Sequence, residues 1–99
     1  MRLNKKQLEG LIRVGEDQTL AISNMNSRMS RDLQRVGQAM IEANRPRLIE
    51  DSKILIETFR ELAKGLEDYA DTQETLVGHW EGGGALTLEE CEDEECVVN

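Results

Sequence analysis

The fold turns on the stretch Met40-Ile41-Glu42-Ala43-Asn44-Arg45-Pro46-Arg47-Leu48, which holds the only proline of the 99-residue chain. Proline fixes its own φ, lacks an N–H and disfavours helical geometry in the residue before it. Asn44 can cap a helix that starts after it. A break is therefore predicted at residues 44–46, between two long periodic segments.

Upstream of the break an apolar series runs Leu8, Ile12, Gly15, Thr19, Ile22, Asn26, Met29, Leu33, Val36, Met40. Its steps alternate four and three, the repeat of one helix face. Leu11 and Met25 widen the stripe. Asn4 and Gln7 have the spacing of a reciprocal N-cap pair. Helix 1 is predicted over about 5–43.

Downstream the series is Leu48, Ser52, Leu55, Phe59, Leu62, Leu66, Tyr69, Gln73, Leu76, flanked by Ile56, Ala63 and Ala70. Helix 2 is predicted over about 47–78, with Gly78 as its terminator. The second series is offset from the first by five residues in a seven-residue repeat, equivalent to minus two. At about 100° per residue, an unbroken helix would carry the two stripes on nearly opposite sides. A turn at 44–46 brings them face to face. The expected fold is all-α: an antiparallel, coiled-coil-like two-helix hairpin over residues 1–80. An acidic tail over 81–99 follows, hinged at Gly82-Gly83-Gly84.

Three aromatic residues (Phe59, Tyr69, Trp80) and 38% hydrophobic content leave little material for a monomeric core. Leu11, Met25 and Ile56 lie outside the seam of two facing helices. A second hairpin completing a helical bundle would cover them. The sequence thus predicts a homo-oligomer, or pairing with another helical protein. The packing and interface residues are Leu8, Ile12, Ile22, Met29, Leu33, Val36, Met40, Leu55, Phe59, Leu62, Leu66, Tyr69, Leu76 and Trp80.

The net charge of −8 is unevenly spread. Residues 1–47 hold nine basic and five acidic side chains, a net of +4; residues 48–99 hold three and fifteen, a net of −12. Overall acidity argues against nucleic acid as a direct partner. Glu89, Glu90, Glu92, Asp93, Glu94 and Glu95 form an acidic run with three readings. It is a solvated tail, a strip that docks on Arg28, Arg31 and Arg35 of a neighbouring copy, or a mimic of nucleic-acid phosphates. The three arginines share a helix face at i, i+3 and i+7.

Cys91 and Cys96 are separated by four acids. They are either free thiols or candidates for an interchain disulfide. Two thiols and one distant His79 fall short of the four ligands a structural zinc site takes, so no metal is expected. No nucleotide loop, catalytic triad or cofactor motif is present, and no enzyme or cofactor is predicted. No apolar run reaches the ~20 residues of a membrane helix. The polar start Met1-Arg2-Leu3-Asn4-Lys5-Lys6 does not read as a signal peptide. A cytoplasmic location, or incorporation into a particle assembled there, is expected. A structural subunit of a multi-copy particle such as a phage virion fits this picture.

Trp80-Glu81-Gly82 resembles the Trp-x-Gly signature of the small helical-hairpin substrates of type VII secretion, and the length and helix–turn–helix outline are similar. In that family the tripeptide forms the turn between the helices. Here the turn is predicted at 44–46, with Trp80 after both helices. The resemblance implies a helical-hairpin partner or chaperone of such a secretion system as an alternative role. An acidic inhibitor of a nucleic-acid-binding protein is a third.

Overall fold

Asn4 and Gln7 start the first helix. Asn4 Oδ1 accepts from the Gln7 N–H at 2.8 Å, and Gln7 Oε1 accepts from the Asn4 N–H at 3.0 Å. Two donors that a helix start leaves unpaired are thereby satisfied. In the computed structural model, residues 2–90 are described. They form two long helices that pack against each other as a hairpin. Helix α1 is Lys5–Ile41 and α2 is Arg45–Glu81, 37 residues each. A short 3-10 turn, Leu88–Glu90, follows.

The link is tighter than expected, and its position differs. Helix α1 stops at Ile41, and the turn is residues 42–44 rather than 44–46. Ala43 N–H donates to Met40 O and Asn44 N–H to Ala39 O, both at 3.1 Å. Ala43 adopts a left-handed φ of 52°. These two bonds and that conformation make a Schellman stop. Asn44 then opens α2, its Oδ1 accepting from Arg47 N–H at 3.3 Å. Arg45 and Pro46 lie inside α2, not before it. Pro46 sits in the first turn, where its missing N–H costs nothing.

Because Ala43 carries a Cβ in a region that favours glycine, Ala43→Gly is expected to stabilise the hairpin by about 0.5–1 kcal/mol. Thermal unfolding should show a midpoint raised by a few degrees. A lowered midpoint would contradict the left-handed turn.

The far end of α2 also differs from expectation. The helix passes through Gly78 and ends at Glu81. Gly83 N–H donates to Trp80 O and Gly84 N–H to His79 O, with Gly83 at φ 83°. This is a second Schellman stop. The three glycines serve as a helix cap, where the sequence predicts a flexible hinge.

The chain divides into two compact units. One comprises the start of α1 with the end of α2 and the residues after it; the other is Leu20–Glu67. In the second unit, the partners of Ile22, Arg28 and Asp32 are Gly65, Glu61 and Thr58. Numbers fall on α2 as they rise on α1, so the two helices run antiparallel. In the first unit Leu3, Leu8 and Leu76 are buried together, with Leu11, Ile12, Ala85 and Leu88 packed on them.

The inner seam shares only half of the expected positions. On α1 it is Leu8, Leu11, Gly15, Gln18, Ile22, Met25, Met29, Asp32, Val36 and Ala39. On α2 it is Leu48, Asp51, Leu55, Thr58, Leu62, Gly65, Tyr69, Thr72, Leu76 and His79. All are buried or half-buried. The expected alternates Leu33 and Met40 are 45% and 64% exposed, and Phe59 and Leu66 are 42% and 50% exposed. Every second seam position is displaced by one residue, on both helices. At Gly65 the two helices are in ordinary van der Waals contact. A Cβ built on Gly65 would already lie 3.7 Å from Ile22 Cγ1 and 3.8 Å from Met25 Cε. On α2 the inner positions Thr58, Gly65 and Thr72 are smaller than their outer neighbours Phe59, Leu66 and Gln73, whereas on α1 Gln18 and Met25 are larger than Thr19 and Asn26.

Candidate interaction face

The displaced seam leaves α2 with two apolar stripes. The inner one faces α1. The outer one is Ile49, Ser52, Ile56, Phe59, Ala63, Leu66, Ala70, Gln73, Val77 and Trp80, again in steps of three and four. Eight of these ten are exposed; Ser52 and Gln73 are half-buried. Helix α1 has no counterpart of equal apolarity. Its adjoining positions hold Glu9, Glu16, Thr19, Ser23, Asn26, Ser30 and Gly37 beside the apolar Ile12, Leu33 and Met40.

In the first unit the flank opens into a groove of about 320 Å³ lined by Ile12, Gly15, Glu16, Thr19, Tyr69, Gln73, Leu76, Trp80 and Leu86. Its floor is mainly apolar and its rim carries Glu16. Trp80 stands in the last turn of α2, with its indole partly exposed. Trp80-Glu81-Gly82 thus closes a helix and does not join two helices.

His79, one residue earlier, is fully buried. Its Nδ1 accepts from the Leu3 N–H at 2.8 Å, so the proton of the neutral ring sits on Nε2, which donates to Ala85 O at 2.8 Å. Arg2 Nε donates to Gly82 O. The imidazole therefore ties the N-terminal residues to the segment following α2, and it has no nitrogen left for a substrate. Composition alone did not reveal this role. The signal is positional: His79 continues the steps Leu62, Gly65, Tyr69, Thr72, Leu76.

In the second unit a buried polar pair crosses the seam. Thr58 Oγ1 donates to Asp32 Oδ2 at 2.7 Å, and both residues are buried. Arg35 Nη1 stands 3.9 Å from Asp32 Oδ1. A one-layer slip of the helices would separate this pair, so it fixes register at some cost in stability. Thr58→Val keeps the shape and removes the donor. It is expected to cost about 1–3 kcal/mol, the scale for an unpaired buried acceptor. Thr58→Ser should recover much of that. Urea midpoints of the three proteins check this, and an unchanged midpoint for Thr58→Val would refute the pairing.

Of the arginines considered for docking, Arg28 pairs with Glu61 of α2 at 3.1 Å, and Arg31 is exposed. Both partners of the Arg28–Glu61 bridge are about half exposed, which limits its contribution to about 0.2–1 kcal/mol. Glu89 is exposed, and Glu90 Oε2 accepts from the Leu86 N–H at 2.9 Å. Cys91, Glu92, Asp93, Glu94, Glu95 and Cys96 lie outside the described residues. Of the remaining interface candidates, Leu8, Leu62 and Leu76 are buried; Ile12, Ile22, Met29, Val36, Leu55 and Tyr69 are half-buried.

Among the described residues, no group of three or more His, Cys, Asp or Glu side chains could hold a metal ion. No helix among them is long and apolar enough to cross a membrane. Neither the protein-family profiles nor the curated proteins and solved structures compared with the chain give a match.

Proposed function

We propose that this protein is a non-enzymatic structural subunit of a larger multi-copy assembly, working through helix–helix packing. The observation that supports this reading is the outer stripe of α2. Eight of its ten positions are exposed, and its three–four spacing is that of a helix-binding seam. Contiguous exposed apolar surface of this kind marks an interaction site. His79 has both nitrogens engaged in structural hydrogen bonds, which agrees with a role in holding shape and not in catalysis.

Native mass spectrometry of the purified full chain, with and without reductant, tests the proposal. Discrete multimers that persist at micromolar concentration are expected. A monomer throughout that range would overturn the assembly role. Loss of multimers on reduction alone would assign the assembly to Cys91 and Cys96 and remove the helix faces from it.

A further inference from the structure

We infer that the occupant of the α2 outer stripe is the same stripe of a second copy, laid antiparallel. This inference rests on the assembly role and specifies its partner. The spacing of the stripe calls for a helix. The sequence of α2 then selects which helix.

In the antiparallel register that overlaps the whole stripe, residue numbers in facing layers total 129. Phe59 then meets Ala70 of the second copy, and Leu66 meets Ala63. In these layers, and where Val77 meets Ser52, large side chains fall on small ones and the axes can approach; Ile56 meets Gln73. Ile49 and Trp80 close the two ends.

The charged flank makes the same selection. Beside the stripe lie Lys53 and Arg60, then Glu67 and Glu74, all exposed. Among the described residues, these four have no ion-pair partner. The sign changes halfway along the row. Flanking residues in that register pair at a total of 127, two short of the facing layers, which sets Lys53 beside Glu74 and Arg60 beside Glu67. Two-fold symmetry repeats both, giving four attractive pairs. Parallel pairing would set Trp80 on Trp80 and Ala63 on Ala63, and would bring no opposite charges together across this flank.

A charge-exchange experiment on the full chain tests the inference. One variant carries Lys53→Glu with Arg60→Glu; the other carries Glu67→Lys with Glu74→Lys. Each alone makes all four pairs like-charged and should weaken self-association about 10- to 100-fold at low salt. Mixed one to one, they restore four attractive pairs and should form a heterodimer of near wild-type affinity. Added salt should relieve the defect of each variant alone. Analytical ultracentrifugation gives the affinities, and circular dichroism confirms that helicity is kept. Phe59→Glu, on the stripe itself, should also give a folded monomer.

If both charge variants assemble like the wild type, or if the mixture fails to recover, the antiparallel α2 pairing is overturned. The assembly role would then stand on another face. A wild-type protein that is monomeric at every concentration overturns both.

Discussion

Leu62→Asp is expected to cost about 4 kcal/mol or more, whereas Leu66→Asp, four residues along the same helix, should cost less than about 1 kcal/mol. Both leucines belong to the same apolar series in the sequence. The structure separates them. Leu62 is buried on the inner seam, between Thr58 and Gly65, while Leu66 stands half exposed on the outer stripe. Removing a buried leucine forfeits about 2–3 kcal/mol of burial. Placing a carboxylate there adds the penalty of an unpaired buried charge. Asp32 and Glu61 belong to the same unit and give the new charge no relief. Urea denaturation, at concentrations too low for association, should show a large loss of midpoint for Leu62→Asp alone. Association measured separately should show the converse sensitivity, with Leu66→Asp folded but impaired in self-assembly. Equal costs for the two substitutions would place the helix interface on the wrong face of α2.

That contrast also shows what could be read before the structure. Asn4 with Gln7 announced a reciprocal cap, because the chemistry is local and confined to four residues. The break followed from Pro46 and the Asn44 cap, and the hairpin from the phase of the two stripes across it. The positions Leu8, Ile22, Met29, Val36, Leu55, Leu62, Tyr69 and Leu76 were legible because each is apolar and each recurs at seven-residue intervals. The alternate layer was not. Leu33, Met40, Phe59, Leu66 and Trp80 are more apolar than Asp32, Ala39, Thr58, Gly65 and His79, and a periodicity argument selects apolarity. On α2 the seam takes the smaller residue of each pair instead, Thr58 over Phe59 and Gly65 over Leu66. A second stripe on α2 competes for the larger residues, and a single-stripe reading merges the two. The turn moved for a different reason. Ala43 supplies a left-handed stop that composition assigns to glycine, and Pro46 is tolerated within the first helical turn.

Substitution of His79 is the test of the other end of the hairpin, and the expected effect is again large. The ring is fully buried, with the Leu3 N–H donating to Nδ1 and Nε2 donating to Ala85 O. His79→Ala opens a cavity and leaves the buried Leu3 N–H and the part-buried Ala85 O unpaired. A cost of about 3–5 kcal/mol is expected from those contributions together. His79→Phe separates them. It retains most of the ring volume but neither bond, and should cost about 2 kcal/mol. Amide hydrogen exchange locates the damage. Protection should fall at Leu3 and at residues 82–85 while the Leu20–Glu67 unit keeps its own. Gly84 supplies an independent check of the same contact. A Cβ built there would run into the imidazole ring, so Gly84→Ala must displace either the ring or the turn. It should reproduce the exchange pattern of His79→Phe without altering any hydrogen-bonding side chain. If His79→Phe were as stable as the wild type, the two bonds would contribute nothing. The terminal cap would then be held by Leu3, Leu8, Leu76, Ala85 and Leu88 alone. If exchange instead rose across both units, the cap would be an inseparable part of one cooperative hairpin and His79 would stabilise the whole of it.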